Sequence, residues 1–179
     1  PPQSRTNTTQ LRVTFLDVSQ RNSAVVELPV GCIMLIDGGG FPGSSLDLGR
    51  YVQAPYLWHR RIARLDTMVL SHPHPDHYLG LTFVAKLFPI KQFWHSSVSG
   101  KDPNIRDLVT TLADKILGIM GPRELIPTQN INGVDHKVLH PPPDFTGTSR
   151  NLTDKEINNF SLVVRLKYKD ISFLFPGDI

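Results

Sequence analysis

The first 40 residues alternate between short apolar runs and polar turns, which predicts an antiparallel β-meander. Residues 11–18 and 24–28 are rich in β-branched and aromatic side chains, and a polar turn at 19–22 separates them. After a second turn at 29–31, the apolar run 32–37 predicts a third strand. Three glycines and Pro42 follow, so the segment up to Arg50 is predicted to be a loop.

Helical spacing replaces this alternation in the middle of the chain. The run 65–70 predicts a short buried strand, and beyond residue 76 the apolar positions 79, 83, 84 and 87 predict a helix that stops before Pro89. The pair Asp102-Pro103 suits a helix cap followed by a first-turn proline. The helix that it starts has an apolar face running from residue 105 to residue 117.

The last third of the chain is predicted to be mainly β-structure. Short strands are expected around 124–126 and 134–139, with Asn132-Gly133 as a turn, and a polar loop is expected from 141 to 156. A final hairpin has strands at 160–166 and 171–175, joined by a turn at 167–170. Strands that precede and alternate with amphipathic helices predict a layered α/β or α+β domain.

Composition narrows the class of protein without identifying a partner. With 179 residues and 40% hydrophobic content, the chain is expected to form one domain over residues 1–179. The net charge of +3 is compatible with a polyanionic partner but too small to indicate one. The sequence has neither a run of about 18 apolar residues nor a signal-peptide pattern, which predicts a soluble chain. The single Cys32 excludes an internal disulfide and leaves histidines and carboxylates as metal ligands.

Residues 72–77 read His-Pro-His-Pro-Asp-His and follow the strand predicted at 65–70. Each of the first two histidines precedes a proline and is therefore extended, which lets both imidazoles face one side. This loop holds three of the 7 histidines of the chain, which makes incidental surface histidines a poor explanation. The candidate ligands are His72, His74, Asp76 and His77. Such a nitrogen and oxygen donor set suits Zn²⁺, Mn²⁺ or iron better than Ca²⁺ or Mg²⁺.

This loop after a buried strand resembles the signature of the metallo-β-lactamase superfamily. Together with the segments 13–18, 34–39 and 173–178, it is similar to the C-terminal domain of ComEC-type DNA-internalisation competence proteins, nearly end to end. The resemblance implies an αββα sandwich in which the first two histidines of the loop bind one metal ion, and the aspartate and last histidine bind a second. It thus implies two divalent cations, Zn²⁺ or Mn²⁺.

The resemblance also assigns roles outside the loop. Asp178 would bridge both metals and, with Asp76, act as a catalytic carboxylate. Asp37 would brace the metal loop, and Asn159 and Ser161 would border the site as polar contacts. The plainer interpretations are turn residues for Asp37 and Asp178, and loop hydrogen bonds for Asn159 and Ser161.

Three features of the sequence leave the site incomplete. The opening turn, residues 19–22, reads Ser-Gln-Arg-Asn where the family has Gly-Gln-Gly-Asp. The third ligand of the first metal is open among His95, His136 and His140. The family places its last histidine ligand after the strand and helix that follow Asp178, and the sequence stops before that point. We therefore expect a piece of a longer protein, with a truncated sandwich that holds its metals partially or not at all.

The implied function is metal-dependent phosphodiester hydrolysis of DNA, single-stranded by preference, during natural-competence uptake. The implied parent is a bacterial inner-membrane protein with this domain on the periplasmic or extracellular face. The alternatives are a lactone or thioester hydrolase on the same fold, and an inactive DNA-binding module. Several side chains could contact DNA or serve as ordinary surface and core residues. They are Arg50, Arg60, Arg61, Arg64, Lys101, Trp58 and Trp94.

Overall fold

Two β-sheets form the centre of the computed structural model, which describes residues 9–19, 22–113, 115–145, 147 and 152–179. The six strands of the first sheet lie side by side in chain order. They are β1 (Arg12–Phe15), β2 (Ala24–Glu27), β3 (Ile33–Ile36), β4 (Leu65–Leu70), β5 (Ile90–His95) and β6 (Gly118–Met120). The first three strands are antiparallel, and β3 to β6 are parallel.

The second sheet has four antiparallel strands in the order β10-β9-β8-β7. They are β7 (Gln129–Ile131), β8 (Val134–His140), β9 (Val163–Tyr168) and β10 (Ile171–Phe175). Four helices lie between the strands in sequence. They are α1 (Ala54–His59), α2 (Pro75–Leu87), α3 (Ile105–Ala113) and α4 (Asp154–Asn159).

The central strands β2 and β3 of the first sheet are buried on both faces, and their side chains alternate between the two faces. Met34 on one face of β3 packs with Val164 and Leu166 of the second sheet. Leu35 on the other face packs with apolar side chains of the helices, among them Leu81. The order of layers is therefore helices, first sheet, second sheet, which confirms the predicted mixed α/β class.

Parallel pairing places the carboxyl ends of β3, β4 and β5 along one edge of the first sheet, which we call the ligand edge. Asp37 follows β3, Ser71 follows β4 and Ser96 follows β5 at this edge. The amino ends of the same strands lie at the far edge. With six residues in β4 and a rise of about 3.3 Å per residue, the two edges are separated by about 16 Å.

Several sequence predictions need correction. The segment after residue 48 is helical rather than loop up to Arg50: a wide helical turn at Gly49–Gln53 leads into α1. The strand predicted at 124–126 is wrong, because Glu124 instead closes a turn by accepting from the backbone N–H of Gly121 at 2.8 Å. Strand β7 pairs with β8 across the predicted Asn132-Gly133 turn.

The loop predicted up to residue 156, of which residues 146 and 148–151 lie outside the described residues, ends earlier than predicted because α4 begins at Asp154. Thr153 and Glu156 form a capping box at its start, a signal that the Thr-x-x-Glu spacing offered in the sequence. The final hairpin is confirmed, although β9 continues to Tyr168 and its turn is shorter than predicted. Residues 20 and 21 of the opening turn lie outside the described residues. No described helix is both long and apolar enough to cross a membrane.

Candidate metal centre

The histidine loop follows β4 and therefore begins at the ligand edge. Helix α2 starts inside this loop, at Pro75. His74 keeps an extended backbone with ψ of 144°, as its following proline requires. The helix then begins at once, so His77 turns back toward the strand end. The ring centroids of His72 and His77 are 4.1 Å apart, and that of His74 stands edge-on to His72 at 4.7 Å. The structure thus brings three imidazoles together.

Asp178 reaches the same point from the second sheet. Its Oδ1 lies 3.3 Å from Nε2 of His77, and its Oδ2 lies 4.0 Å from Nε2 of His72. Candidate ligand atoms of these three residues all lie within 4.8 Å of one another. A single carboxylate therefore presents one oxygen to each of two buried imidazoles. We refer to His72, His77 and Asp178 as the ligand cluster.

Asp37 contacts the histidine loop through both of its carboxylate oxygens. Its Oδ1 accepts from the backbone N–H of Ser71 at 2.8 Å, and its Oδ2 lies 2.9 Å from Nδ1 of His77. A carboxylate in contact with Nδ1 fixes the ring orientation and leaves Nε2 toward Asp178. Only 2% of Asp37 is exposed, so this contact is shielded from water. These contacts suit a residue that orients a ligand rather than binding a metal itself.

Ser161 connects the two sheets at the cluster. Its Oγ lies 3.1 Å from Nδ1 of His72 and accepts from the backbone N–H of Asp178 at 3.3 Å. Ser71 Oγ lies 3.0 Å from the same Nδ1, so two hydroxyls face that edge of the His72 ring. Ser161 is fully buried. One hydroxyl group therefore positions both a loop histidine and the candidate bridging carboxylate.

The two buried histidines of the ligand cluster have pKa values shifted in opposite directions. Burial, together with the charge on His77, lowers the pKa of His72 to about 4. Burial also acts to lower the pKa of His77, but hydrogen bonds to Asp178 and Asp37 outweigh it and raise that pKa to about 10. The hydrogen bond with His77 in turn lowers the pKa of Asp178. Carboxylates that favour a positive charge this strongly make a good environment for a cation.

The donor atoms fit a divalent metal ion. Nε2 of His72 and Nε2 of His74 are buried without a hydrogen-bond partner among the described residues. Buried polar atoms normally have a partner, so two such nitrogens beside a carboxylate point to a ligand that they would bind. Imidazole nitrogens and carboxylate oxygens are ligands of Zn²⁺ and of other divalent transition metals.

Two predicted ligands of the loop stand outside the ligand cluster. His74 directs Nε2 toward Oδ1 of Asp154 at 3.9 Å. Asp76 is half-buried in the first turn of α2. Among the border residues, Asn159 is exposed and contributes its carbonyl oxygen, which accepts from Nε2 of His140 at 2.9 Å. The neighbouring Asn158 has a buried Oδ1 without a described partner, a residue that sequence reasoning did not single out.

None of the three histidines considered as a third ligand joins the ligand cluster within the described part of the chain. His95 accepts through Nδ1 from the backbone N–H of Ser97 at 3.0 Å. The Nδ1 of His136 lies 2.9 Å from the carbonyl oxygen of Val134, in the same strand. His140 contacts Asn159, as described above. The sequence had no signal that would exclude these histidines, because strand pairing decides where each one faces.

The basic cluster before β4 lies at the far edge. Arg60 forms a two-pronged ion pair with Glu27, at 3.0 Å and 2.9 Å, while Arg61 and Arg64 are exposed. Trp58 is exposed, and its ring centroid lies 6.1 Å from that of Phe88, which also borders the far edge. Trp94 is buried between the sheets, as its packing role requires. These side chains therefore do not line the ligand cluster.

Comparisons with known proteins identify the fold. Among solved structures, the chain is similar to a metallo-beta-lactamase fold protein, YhfI from Bacillus subtilis, at 13% identity and a TM-score of 0.48 over 88% of this chain and 55% of that one. It is also similar to CmlA, a diiron beta-hydroxylase from Streptomyces venezuelae, at 14% identity and a TM-score of 0.51 over 95% of this chain and 30% of that one.

The chain thus spans about half of the first of these proteins and less than a third of the second. A comparison with curated proteins found no match. The family model described as the metallo-beta-lactamase superfamily matches residues 16–179, which include the histidine loop, Asp37 and Asp178. The match identifies the superfamily without choosing a subfamily. The chain belongs to the metallo-β-lactamase superfamily.

Proposed function

We propose that this domain is a metal-dependent phosphodiesterase that cleaves single-stranded DNA during natural-competence uptake. The observation that carries the proposal is the ligand cluster, in which one carboxylate faces two buried imidazoles. The superfamily binds divalent metals and generally contains metal-dependent hydrolases, which supports the reaction class. The choice of DNA is supported by the resemblance of four sequence segments to ComEC-type proteins.

Each residue of the site has a role in this proposal. His72 and His74 would hold one cation, Asp76 and His77 a second, and Asp178 would contact both. When bound, the cations, Zn²⁺ or Mn²⁺, would supply Lewis-acid activation of water and would neutralise charge on the phosphodiester.

In this proposal, other side chains of the protein orient the metal ligands. Asp37 fixes the imidazole of His77, and Ser161 fixes His72 together with the backbone of Asp178. Outer contacts of this kind set ligand geometry and metal affinity. Asp178 lies at the exposed mouth of the site while His72 and His77 are buried. A phosphodiester would therefore approach from the side of Asp178.

A second candidate is hydrolysis of a neutral acyl substrate such as a lactone or thioester. A cavity of about 200 Å³ beside the cluster is bordered by Asp37, Ser71 and Gly177. Apolar side chains such as Leu16 and Phe175 line much of it, and no described basic residue does. An apolar wall suits an acyl chain better than a phosphate.

Parallel assays on the purified protein separate these functions. We expect the protein loaded with Mn²⁺ or Zn²⁺ to cleave labelled single-stranded DNA, and EDTA or Asp178→Asn to abolish cleavage. A panel of lactones and thioesters is tested with the same preparation. If the protein binds two metal ions, leaves DNA intact and opens a lactone, the nuclease proposal is wrong. If it binds DNA but neither metal nor acyl substrate, an inactive DNA-binding module is the better description.

We further propose that the parent protein resides in the bacterial inner membrane with this domain on its outer face. The support is the ComEC-type resemblance. Protease accessibility in spheroplasts, compared with a cytoplasmic marker protein, tests this placement. Protection of the domain in intact spheroplasts would contradict it.

A further inference from the structure

We infer that Asp154 is a ligand of the metal ion that His72 and His74 would bind. The inference rests on the metal centre of the proposed function. It supplies a third ligand for that ion, which the sequence left open among three histidines. His74 and Asp154 lie beside the ligand cluster rather than in it, and the 3.9 Å contact between them carries the inference.

The distance between His74 and Asp154 suits an ion between them. Nε2 of His74 and Oδ1 of Asp154 are 3.9 Å apart, too far for a hydrogen bond. Ligand atoms about 2.0–2.2 Å from a tetrahedral zinc ion lie roughly 3.3–3.6 Å from one another, so the two groups would have to approach by only a few tenths of an ångström. Nε2 of His74 is also buried without a hydrogen-bond partner among the described residues. A cation held by both groups would satisfy this nitrogen.

Helix α4 holds the backbone of Asp154 in place without needing its carboxylate. The capping box uses Thr153 and Glu156, which satisfy the backbone at the start of the helix. Leu152 and Ile157 pack with Val98, which fixes this segment against the chain that follows β5. The side chain of Asp154 is 82% exposed, so it can rotate toward an ion without disturbing packing.

Lys101 is the competitor for the same oxygen. Its Nζ lies 3.4 Å from Oδ1 of Asp154, and both side chains are at least half exposed. An exposed ion pair of this kind contributes little to stability, so it does not account for the position of Asp154. A metal ion and the ammonium group would compete for one carboxylate. Removing the carboxylate should therefore weaken metal binding, whereas removing Lys101 should not.

The test measures Zn²⁺ affinity and stoichiometry by chelator competition on the full protein, together with the visible absorption of bound Co²⁺. The variants are Asp154→Asn, Asp154→Glu and Lys101→Met, with Asp102→Asn as a control that removes the same charge from the neighbouring loop. We expect Asp154→Asn to weaken the binding of one ion at least 10-fold and to change the Co²⁺ spectrum. Asp154→Glu should restore part of the affinity. Lys101→Met should bind as tightly as the wild type or more tightly.

Equal affinities for wild type, Asp154→Asn and Asp102→Asn would overturn the inference, and so would a loss in Lys101→Met that matches the loss in Asp154→Asn. Circular dichroism shows whether each variant is folded. DNA cleavage by the wild type is measured separately. Metal binding that depends on Asp154 without cleavage would leave the inference standing and contradict the nuclease. If the wild type cleaves DNA but Asp154→Asn does not change the metal affinity, the inference alone is contradicted. A wild type that binds no metal would contradict both the inference and the proposed nuclease function.

Discussion

At the scale of single residues, the site depends on groups that orient the ligands as much as on the ligands. Asp37 uses both carboxylate oxygens, one on the backbone of Ser71 and one on the ring of His77. Ser161 likewise contacts the ring of His72 and the backbone of Asp178. Each of these residues joins two parts of the site that are distant in sequence. Substituting either residue should therefore act mainly by changing the positions of the candidate metal ligands.

Ser161→Ala should weaken metal binding by about 10- to 100-fold, the usual effect of losing a contact that orients a ligand. The cause is the loss of one hydroxyl that positions His72 and Asp178 together. Chelator competition with Zn²⁺ measures the effect. Ser96→Ala is the matched control, because Ser96 is also buried and lies at the end of a neighbouring strand. Similar affinities for the two variants would show that Ser161 does not position the ligands.

At the scale of elements, α2 and the end of β3 are in direct backbone contact. A Cβ on Gly80 would overlap the carbonyl oxygen of Gly38, and a Cβ on Gly38 would overlap the backbone nitrogen of Leu81. The N–H of Gly38 donates to the carbonyl of His77 at 2.6 Å. The glycines after β3, which predicted a loop, thus let the helix that carries His77 approach the strand that carries Asp37.

Gly80→Ala should destabilise the protein by about 1–3 kcal/mol, because backbone atoms must move to admit the methyl group. Gly118→Ala is the control, since a Cβ at Gly118 would meet nothing within 4 Å. Urea unfolding followed by circular dichroism compares the two variants. Equal midpoints for both would contradict this account of the contact. The Gly80 variant should also bind metal more weakly, because α2 positions His77.

At the scale of the whole molecule, the site lies where the two sheets meet. The loop and Asp37 come from the first sheet, whereas Ser161 and Asp178 flank strands of the second. The N–H of Leu162 donates to the carbonyl of Ser71 at 2.7 Å and joins the two layers directly. Formation of the ligand cluster therefore depends on the packing of one sheet on the other.

We expect His136 to make the stability of the protein sensitive to pH. Burial lowers its pKa below the ordinary value of 6.5. Above pH 6.5 the folded and unfolded states are both neutral at this residue. As the pH falls below 6.5, the unfolded chain binds a proton that the folded chain excludes, so stability is lost until the pH reaches the folded pKa. His136→Gln should lose less stability than the wild type between pH 7 and pH 5.

Urea midpoints at the two pH values, measured on metal-free protein, give this comparison. His59→Gln is the control, because His59 is exposed. The prediction is wrong if His136→Gln loses as much stability on acidification as the wild type and the His59 variant.

The far-edge arginines should not contribute to DNA binding at the site. Arg61 and Arg64 precede β4, and the length of this strand, about 16 Å, separates its amino end from the ligand edge. The double variant Arg61→Gln, Arg64→Gln should therefore keep the wild-type dependence of single-stranded DNA affinity on salt. If these two residues do contact phosphates, the slope of log K against log[salt] in the double variant should be less steep than in the wild type by about 1.4. Fluorescence anisotropy at several salt concentrations distinguishes the two results.

The sequence by itself determined the class of fold and predicted the residues at the centre of the candidate site. Alternating strands predicted the opening meander and the final hairpin, because side-chain direction along a strand depends only on local periodicity. The His-x-His-x-Asp-His spacing similarly predicted a metal loop, since its extended and helical parts are set by adjacent prolines. Asp37 and Asp178 were found through resemblance to a family, because no local rule links residues so distant in sequence.

Tertiary structure alone decided which residues meet. Strand pairing directed His95, His136 and His140 into contacts elsewhere, and it placed the arginine cluster at the far edge. The packing of α4 also placed Asp154 near His74, and periodicity did not reveal this helix because it is only 6 residues long. The physical reason is that ligand sets form between elements. Each element follows from its own sequence, while the distance between elements follows from how their buried faces pack.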